Sequence, residues 1–226
     1  MGVTSVFEIS PSLSAGSLLD LGKVLRETAG LDHIHLDVDD GNFVHGISFG
    51  LDTVEVVAKN TAVPLDVHLE VLNPLDYVDR LGEIGVSAVC AHVEALPFPS
   101  EFVGAARNAG IGRVGLAINV KTPVDEVLAY ADQVDYLLFV SVEADRRGLQ
   151  MRPFALEKLR RARALLGAGF PLWADGGINE SNLRQVVEAG ASGVVVGRAV
   201  FGQADPVAAA RRLVALGRSC QEELEP

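Results

Sequence analysis

The stretch "HIHLDVDDG", residues 33–41, alternates ionisable and apolar residues before it ends in Asp-Gly. In an extended strand, consecutive side chains point to opposite faces. Ile34, Leu36 and Val38 therefore share an apolar face, while His33, His35, Asp37 and Asp39 share a titratable one. Such a strand packs against an apolar layer on one side and presents groups able to hold something polar on the other.

Working outward, the same grammar recurs along the chain. Apolar, β-branched runs predict strands over 6–10, 33–38, 64–69, 87–93, 113–118, 134–140, 170–175 and 193–197. Helical patterns lie between them. "LLDLGKVLRETAG" stops at Gly30, and "NPLDYVDRLGEIG" opens with Asn73 as cap and Pro74 at the first helical position and stops at Gly85. "NESNLRQVVEAG" and "DPVAAARRLVALG" repeat the pattern. No linker or composition shift interrupts the series. Eight strand–helix units predict a single (β/α)8 TIM barrel domain over residues 1–226. An open doubly wound sheet would carry a Gly-rich phosphate turn after its first strand. The "SPSLSAG" at that place does not match one.

The bulk numbers narrow the function. A chain of 226 residues, 49% hydrophobic and 22% charged, can bury a sizeable core. Its net charge of −11 argues against a nucleic-acid partner. A small anionic substrate is still compatible, because a few local donors suffice to hold one phosphate. No apolar run is long enough to span a membrane, and the start lacks a secretory pattern. Cys90 and Cys220 have no metal or redox spacing. The expectation is a cytoplasmic protein that self-associates, as barrels of this size often do.

A barrel gives the titratable strand ends one address, because active sites of this fold sit at the carboxyl ends of the strands. Ser10 ends the first strand, His35 and Asp37 the second, and Asp175 the seventh. His68 ends the third, with Asp66 and Glu70 on its face. Two imidazoles and two carboxylates converging in this way can hold a divalent metal, or can simply line the mouth. Asp39 and Asp40 before Gly41 suit an ordinary strand-end turn. His45 and His92 read as structural, with His92 lining the mouth at most. "DGGI" (175–178) and "VVVGRAVFG" (194–202) put glycines after strands seven and eight, where this fold often binds phosphate. Arg198 adds a positive charge there. Gly197 could instead serve only close helix packing.

"ISPSL" (9–13), "HLDVDDGNFV" (35–44), "PLDVHLEVLNPLDYV" (64–78), "HVEA" (92–95), "ADGGINESNL" (174–183) and "VVVGRAVFG" (194–202) together resemble the ribulose-phosphate 3-epimerase family. The resemblance implies a barrel that inverts the third carbon of a pentulose 5-phosphate, converting D-ribulose 5-phosphate to D-xylulose 5-phosphate through an enediolate. It implies one divalent metal ion per chain, commonly zinc, held by His35, Asp37, His68 and Asp175. Iron, manganese or cobalt would suit the same donors. It makes Asp37 and Asp175 the acid/base pair, and it places Ser10 and His68 against the substrate. The phosphate then lies on Gly176, Gly177, Gly197 and the backbone of Arg198. Such chemistry needs a base on one face of the carbon, an acid on the other and charge stabilisation for the enediolate.

The chain departs from the family within the site. Asp39, Glu70 and Val140 stand where the family carries methionines. "FVHG" (43–46) replaces its "FVPN", and "EADRRGLQ" (143–150) replaces its Gly-rich flap. Arg198 replaces a serine. Asp39 and Glu70, with Arg146 and Arg147, are thus candidate specificity residues, unless the strands end early and leave the acids solvated. Two alternatives share these features: an epimerase of a different keto-sugar phosphate, and a non-catalytic sugar-phosphate-binding barrel. A decarboxylase of the same fold would set a lysine among the acids, and none occurs in 33–41 or 64–70.

Overall fold

The computed structural model describes residues 6–143 and 150–224. Eight parallel strands alternate with helices along the chain: β1 (Glu8–Pro11), β2 (Ile34–Asp39), β3 (Leu65–Glu70), β4 (Ala88–His92), β5 (Arg113–Ile118), β6 (Tyr136–Val140), β7 (Leu172–Asp175) and β8 (Gly193–Val196). Their order is β1-β8-β7-β6-β5-β4-β3-β2. A parallel bridge between Ser12 and His35 brings the two ends of the sheet together, so the sheet curls into a barrel. The expected (β/α)8 architecture is the observed one.

The helices that bracket the site are α1 (Leu21–Glu27), α2 (Leu51–Asn60), α3 (Leu75–Ile84), α4 (Pro99–Asn108), α5 (Asp125–Leu128), α6 (Pro153–Leu166), α7 (Leu183–Glu188), α8 (Arg198–Phe201) and α9 (Pro206–Leu224). Helix α1 starts where the Asp20 carboxylate accepts from the Lys23 amide at 3.0 Å. Helix α3 ends at Gly85, as expected, with φ of 82°. Its start falls one residue later than expected, with Pro74 at the cap.

Alternation within each strand divides the core. Ile34, Leu36, Val67, Leu69 and Leu116 point outward and are buried with Val54, Leu81 and Phe102 of the helices. Cys90, Ala117, Tyr136, Leu138, Trp173 and Val195 fill the barrel interior on the β4–β8 side. Large rings need space there. A methyl group at Gly115 or Gly193 would overlap the ring of Tyr136 or Trp173 respectively. Below them, the Arg113 guanidinium stacks 5.4 Å from the Tyr136 ring and 5.8 Å from that of Trp173. Glu8 pairs with Arg113 at 3.6 Å. His33 lies outside β2 and faces Glu8 at 3.7 Å, far from the mouth. The β1–β3 side of the interior is polar, and it carries the site.

Candidate active site

Strands β2 and β3 run in register with His35 beside Asp66, Asp37 beside His68 and Asp39 beside Glu70. All six side chains therefore face the interior, in three layers that rise toward the mouth. Both strands continue through Asp39 and Glu70, so neither acid belongs to a solvated loop. Glu70 is buried and Asp39 half-buried. Asp175 arrives from the end of β7. Above them opens a cleft of about 550 Å³, lined among others by Asp37, Asp39, Glu70, Asp175, Gly176, Gly177, Gly197 and Arg198.

His35 is fully buried between two carboxylates. Its Nδ1 lies 2.8 Å from Asp66 Oδ2 and its Nε2 lies 3.1 Å from Asp37 Oδ1. Burial opposes the imidazolium, but Asp37 and Asp66 outweigh it and raise the pKa well above the ordinary value. The second oxygen of Asp37 accepts from the Ser12 and Ser14 hydroxyls at 2.7 and 3.0 Å. Burial would raise the Asp37 carboxyl, yet His35 and His68 hold it well below the usual range. Asp175 goes the other way. Burial and the charge of Asp37 push it up to about 6. Two acids with pKa values driven apart are the pattern expected of one base and one acid in the same pocket.

His68 Nδ1 is buried and has no hydrogen-bond partner among the described residues. It faces Asp37 Oδ1 at 3.6 Å and Asp175 Oδ2 at 3.8 Å, beyond hydrogen-bonding reach. Neighbouring donors on a small tetrahedral ion sit about 3.4 Å apart. Nitrogen and carboxylate donors of His35, Asp37, His68 and Asp175 all fall within 4.8 Å of one another. The bare Nδ1 and this mixed donor set fit a divalent cation.

Gly176 and Gly177 follow β7 with φ of 108° and 68°, a conformation open to glycine. A side chain at Gly176 would also collide with Val142. Gly197 leads into α8, whose first-turn amides at Arg198 and Ala199 have no acceptor within their own helix. These groups face the same cleft as the carboxylates.

The strand ends differ from expectation at β1. The strand runs to Pro11 and joins β2 at Ser12, so the mouth lies beyond Ser10. Ser10 is fully buried, its hydroxyl has no partner among the described residues, and it does not line the cleft. Ser12 and Ser14 do line it. Their alternation with Ser10 in "SPSLS" was the available signal. Sequence reasoning also left out the His92 and Glu94 contacts: His92 Nε2 lies 2.9 Å from His68 Nε2, and His92 Nδ1 lies 3.1 Å from Glu94 Oε2. Arg146 and Arg147 lie outside the described residues.

Burial, followed by the charges of Asp37, Asp39 and Asp175, pushes the Glu70 carboxyl well above its ordinary value. Burial likewise raises Asp39, partly offset by Ser48. No helix among the described residues is long and apolar enough to cross a membrane.

Comparison with known proteins agrees with this geometry. The profile described as "Ribulose-phosphate 3 epimerase family" matches residues 8–201. The ribulose-phosphate 3-epimerase of Mycobacterium tuberculosis is 35% identical over 210 residues, covering 91% of this chain and 90% of that protein. That of Bacillus subtilis is 31% identical over 206 residues, covering 88% and 94%. Among solved structures, orotidine 5'-phosphate decarboxylase from Pyrococcus horikoshii superposes with a TM-score of 0.66 at 16% identity, covering 93% of this chain and 99% of that one. This last likeness is one of fold alone.

Proposed function

The chain belongs to the ribulose-phosphate 3-epimerase family of isomerases, and from that we propose that it inverts the third carbon of a pentulose 5-phosphate, interconverting D-ribulose 5-phosphate and D-xylulose 5-phosphate. The observation that carries the reading is the pair Asp37 and Asp175, which reach His68 Nδ1 from two different strands with their pKa values driven apart. A sugar phosphate seated with its phosphate on Gly176, Gly177, Gly197 and the amide of Arg198 lays its carbon chain across these carboxylates.

Asp37, held ionised, is the base. It takes the proton from one face of the carbon next to the ketone. Ser12 and Ser14 fix its Oδ2, while its Oδ1 faces His35 Nε2 and His68 Nδ1. Asp175, whose carboxyl burial and the charge of Asp37 push up to about 6, returns a proton to the opposite face. After one turnover the two acids have exchanged states, which is the starting arrangement for the reverse reaction. His35, Asp37, His68 and Asp175 would hold a divalent cation, zinc being one that suits the donor set, with iron, manganese and cobalt as others. When bound, it would supply positive charge beside the enediolate oxygens, where negative charge develops.

Asp39 and Glu70 give this cleft a polarity that two methionines would not. Asp39 Oδ1 is buried without a partner among the described residues. A buried carboxyl so placed favours a donor or hydroxyl on the ligand. We infer that these two acids, with Arg146, Arg147 and Arg198, tune the choice among ketose phosphates.

The test is deuterium incorporation from solvent into a panel of ketose phosphates, read by proton NMR. Exchange at the third carbon of ribulose 5-phosphate is expected in wild type, with epimerisation lost in both Asp37→Asn and Asp175→Asn. Exchange into a different ketose phosphate alone would move the substrate assignment. Exchange into none would leave a binding protein. A gain of tenfold or more on ribulose 5-phosphate in Asp39→Met/Glu70→Met identifies the acids as specificity elements. An unchanged double variant of an already efficient enzyme removes that role.

A further inference from the structure

A histidine can lend a nitrogen to a cation only from the ring atom that carries no proton. For His68 that atom must be Nδ1, because Nδ1 faces Asp37 and Asp175. Its proton must then sit on Nε2 and needs an acceptor. The group within reach is another imidazole nitrogen, Nε2 of His92, at 2.9 Å. The two rings are nearly parallel, at 21°, with centroids 4.9 Å apart, and both are fully buried. Between two such nitrogens a single proton lies on one side or the other, and nothing in the pair itself decides which.

The decision is made at the far end. His92 Nδ1 lies 3.1 Å from Glu94 Oε2. The other oxygen of Glu94 accepts from the Asn119 amide at 2.8 Å and from the Thr122 hydroxyl. The backbone amide can only donate, and an ionised carboxylate can only accept. Glu94 is thus an acceptor on both oxygens, and His92 Nδ1 donates to it. The neutral His92 ring then has a bare Nε2, His68 Nε2 donates to that atom, and His68 Nδ1 is left bare. The anchor is firm, because Lys158 of α6 donates to the Asn119 carbonyl at 2.6 Å and so holds the loop after β5. The relay crosses from His68 in β3 through His92 at the end of β4 to the loops after β4 and β5.

We propose that Glu94 and His92 are positioning residues that set the tautomer of His68 and so present its Nδ1 lone pair to a divalent ion. The proposal rests on the reading of His68 as a ligand. It makes Glu94, which touches neither ion nor substrate, a determinant of metal affinity. Partners that fix a ligating histidine in this way are typically worth about 10- to 100-fold in affinity.

The experiment has two arms. Long-range proton–nitrogen NMR of the chelator-treated protein reads which nitrogen of His68 carries the proton, with no ion present. Titration with zinc or manganese then gives affinity and stoichiometry. Wild type is expected to show His68 protonated at Nε2 and to bind one ion. In Glu94→Gln the amide oxygen keeps the Asn119 and Thr122 donors, so its NH2 group faces His92 Nδ1. Both rings then invert, His68 carries its proton on Nδ1, and affinity falls by about 10- to 100-fold. His92→Phe keeps a ring in place but removes the acceptor. It should lose about tenfold in affinity, and adding Glu94→Gln to it should change little further.

A wild-type His68 protonated at Nδ1 overturns the relay, as does a Glu94→Gln protein with wild-type tautomer and affinity. Two ions per chain also overturn it, since His68, Glu70 and His92 lie close enough to share a second ion only if the proton between the rings is absent. The expected tautomer in a wild type that binds no ion defeats the ligand reading, and with it the purpose of the relay. The wrong tautomer with an ion bound defeats the relay alone.

Discussion

Asp175 shows how far function and stability can pull apart at one residue. Its pKa in the folded chain is about 6, against an ordinary 3.8, because burial and Asp37 disfavour its charge. A carboxyl raised by folding binds its proton more tightly in the folded state. Its contribution to stability is therefore present below about pH 3.8 and is lost as pH climbs through 6. Asp175→Asn mimics the protonated form at every pH. In chelator-treated protein it should gain about 2–3 kcal/mol over wild type at pH 7.5 and lose turnover. Urea unfolding at pH 7.5 and 4.5 checks this, with the gap between the two proteins narrowing to about 1 kcal/mol at the lower pH. A variant no more stable at pH 7.5 would show that Asp175 carries no such strain. His35, Asp37 and His68 were legible in the sequence, because a strict alternation of ionisable and apolar residues can serve only one face of a strand, and Asp175 was legible as the one acid that ends an apolar strand. Ser12 was not, since its place depends on how far β1 runs before it meets β2, a matter of shear around the barrel. Glu94 was not legible as a partner of His92 either. It lies two residues past the strand in a short turn, where sequence parity ends.

At the scale of elements, the strand–helix alternation and the eight strands were readable, with strand ends shifted by one or two residues, and Gly85 stops α3 as expected; the stop expected at Gly217 is not there, because α9 runs on to Leu224 and Gly217 instead lets the helix pack against the Phe7 ring. What could not be read is how one side chain fastens several elements. Arg163 of α6 donates to the carbonyls of Ala168 at 3.1 Å, Phe170 at 2.7 Å and Gly190 at 2.6 Å. It ties the end of α6 to the entries of β7 and β8. Its guanidinium is half-buried, and burial lowers its pKa. Gly190 lies under its stem with φ of 108°, so a side chain there would strike Arg163. Arg163→Met keeps much of the stem and leaves those carbonyls without their donor. A loss of about 2–3 kcal/mol is expected, with kcat per folded molecule unchanged. Denaturant melts beside active-site titration separate the two. A floor substitution, Gly193→Ala, should cost about 1–3 kcal/mol through overlap with Trp173, again sparing the chemistry.

For the whole molecule, the four candidate ligands come from β2, β3 and β7, so an ion that binds them binds only the folded barrel. At one hundred times its dissociation constant it should stabilise chelator-treated protein by about 2.7 kcal/mol. His35→Ala should abolish that increment, and thermal melts with and without zinc decide the matter. Seven of the eight seams in the barrel wall are ladders of backbone hydrogen bonds. The eighth, between β1 and β2, is a lone bridge at Ser12 and His35, reinforced by serine hydroxyls on Asp37. The wall is stitched there by Asp37, the proposed base. Breathing of the barrel should start at this seam, with amide exchange at His35 outpacing exchange within the ladders of the other strands. A ligand that grips Asp37 then acts as a clasp, slowing the first opening of the wall and with it the escape of the chain from its native state.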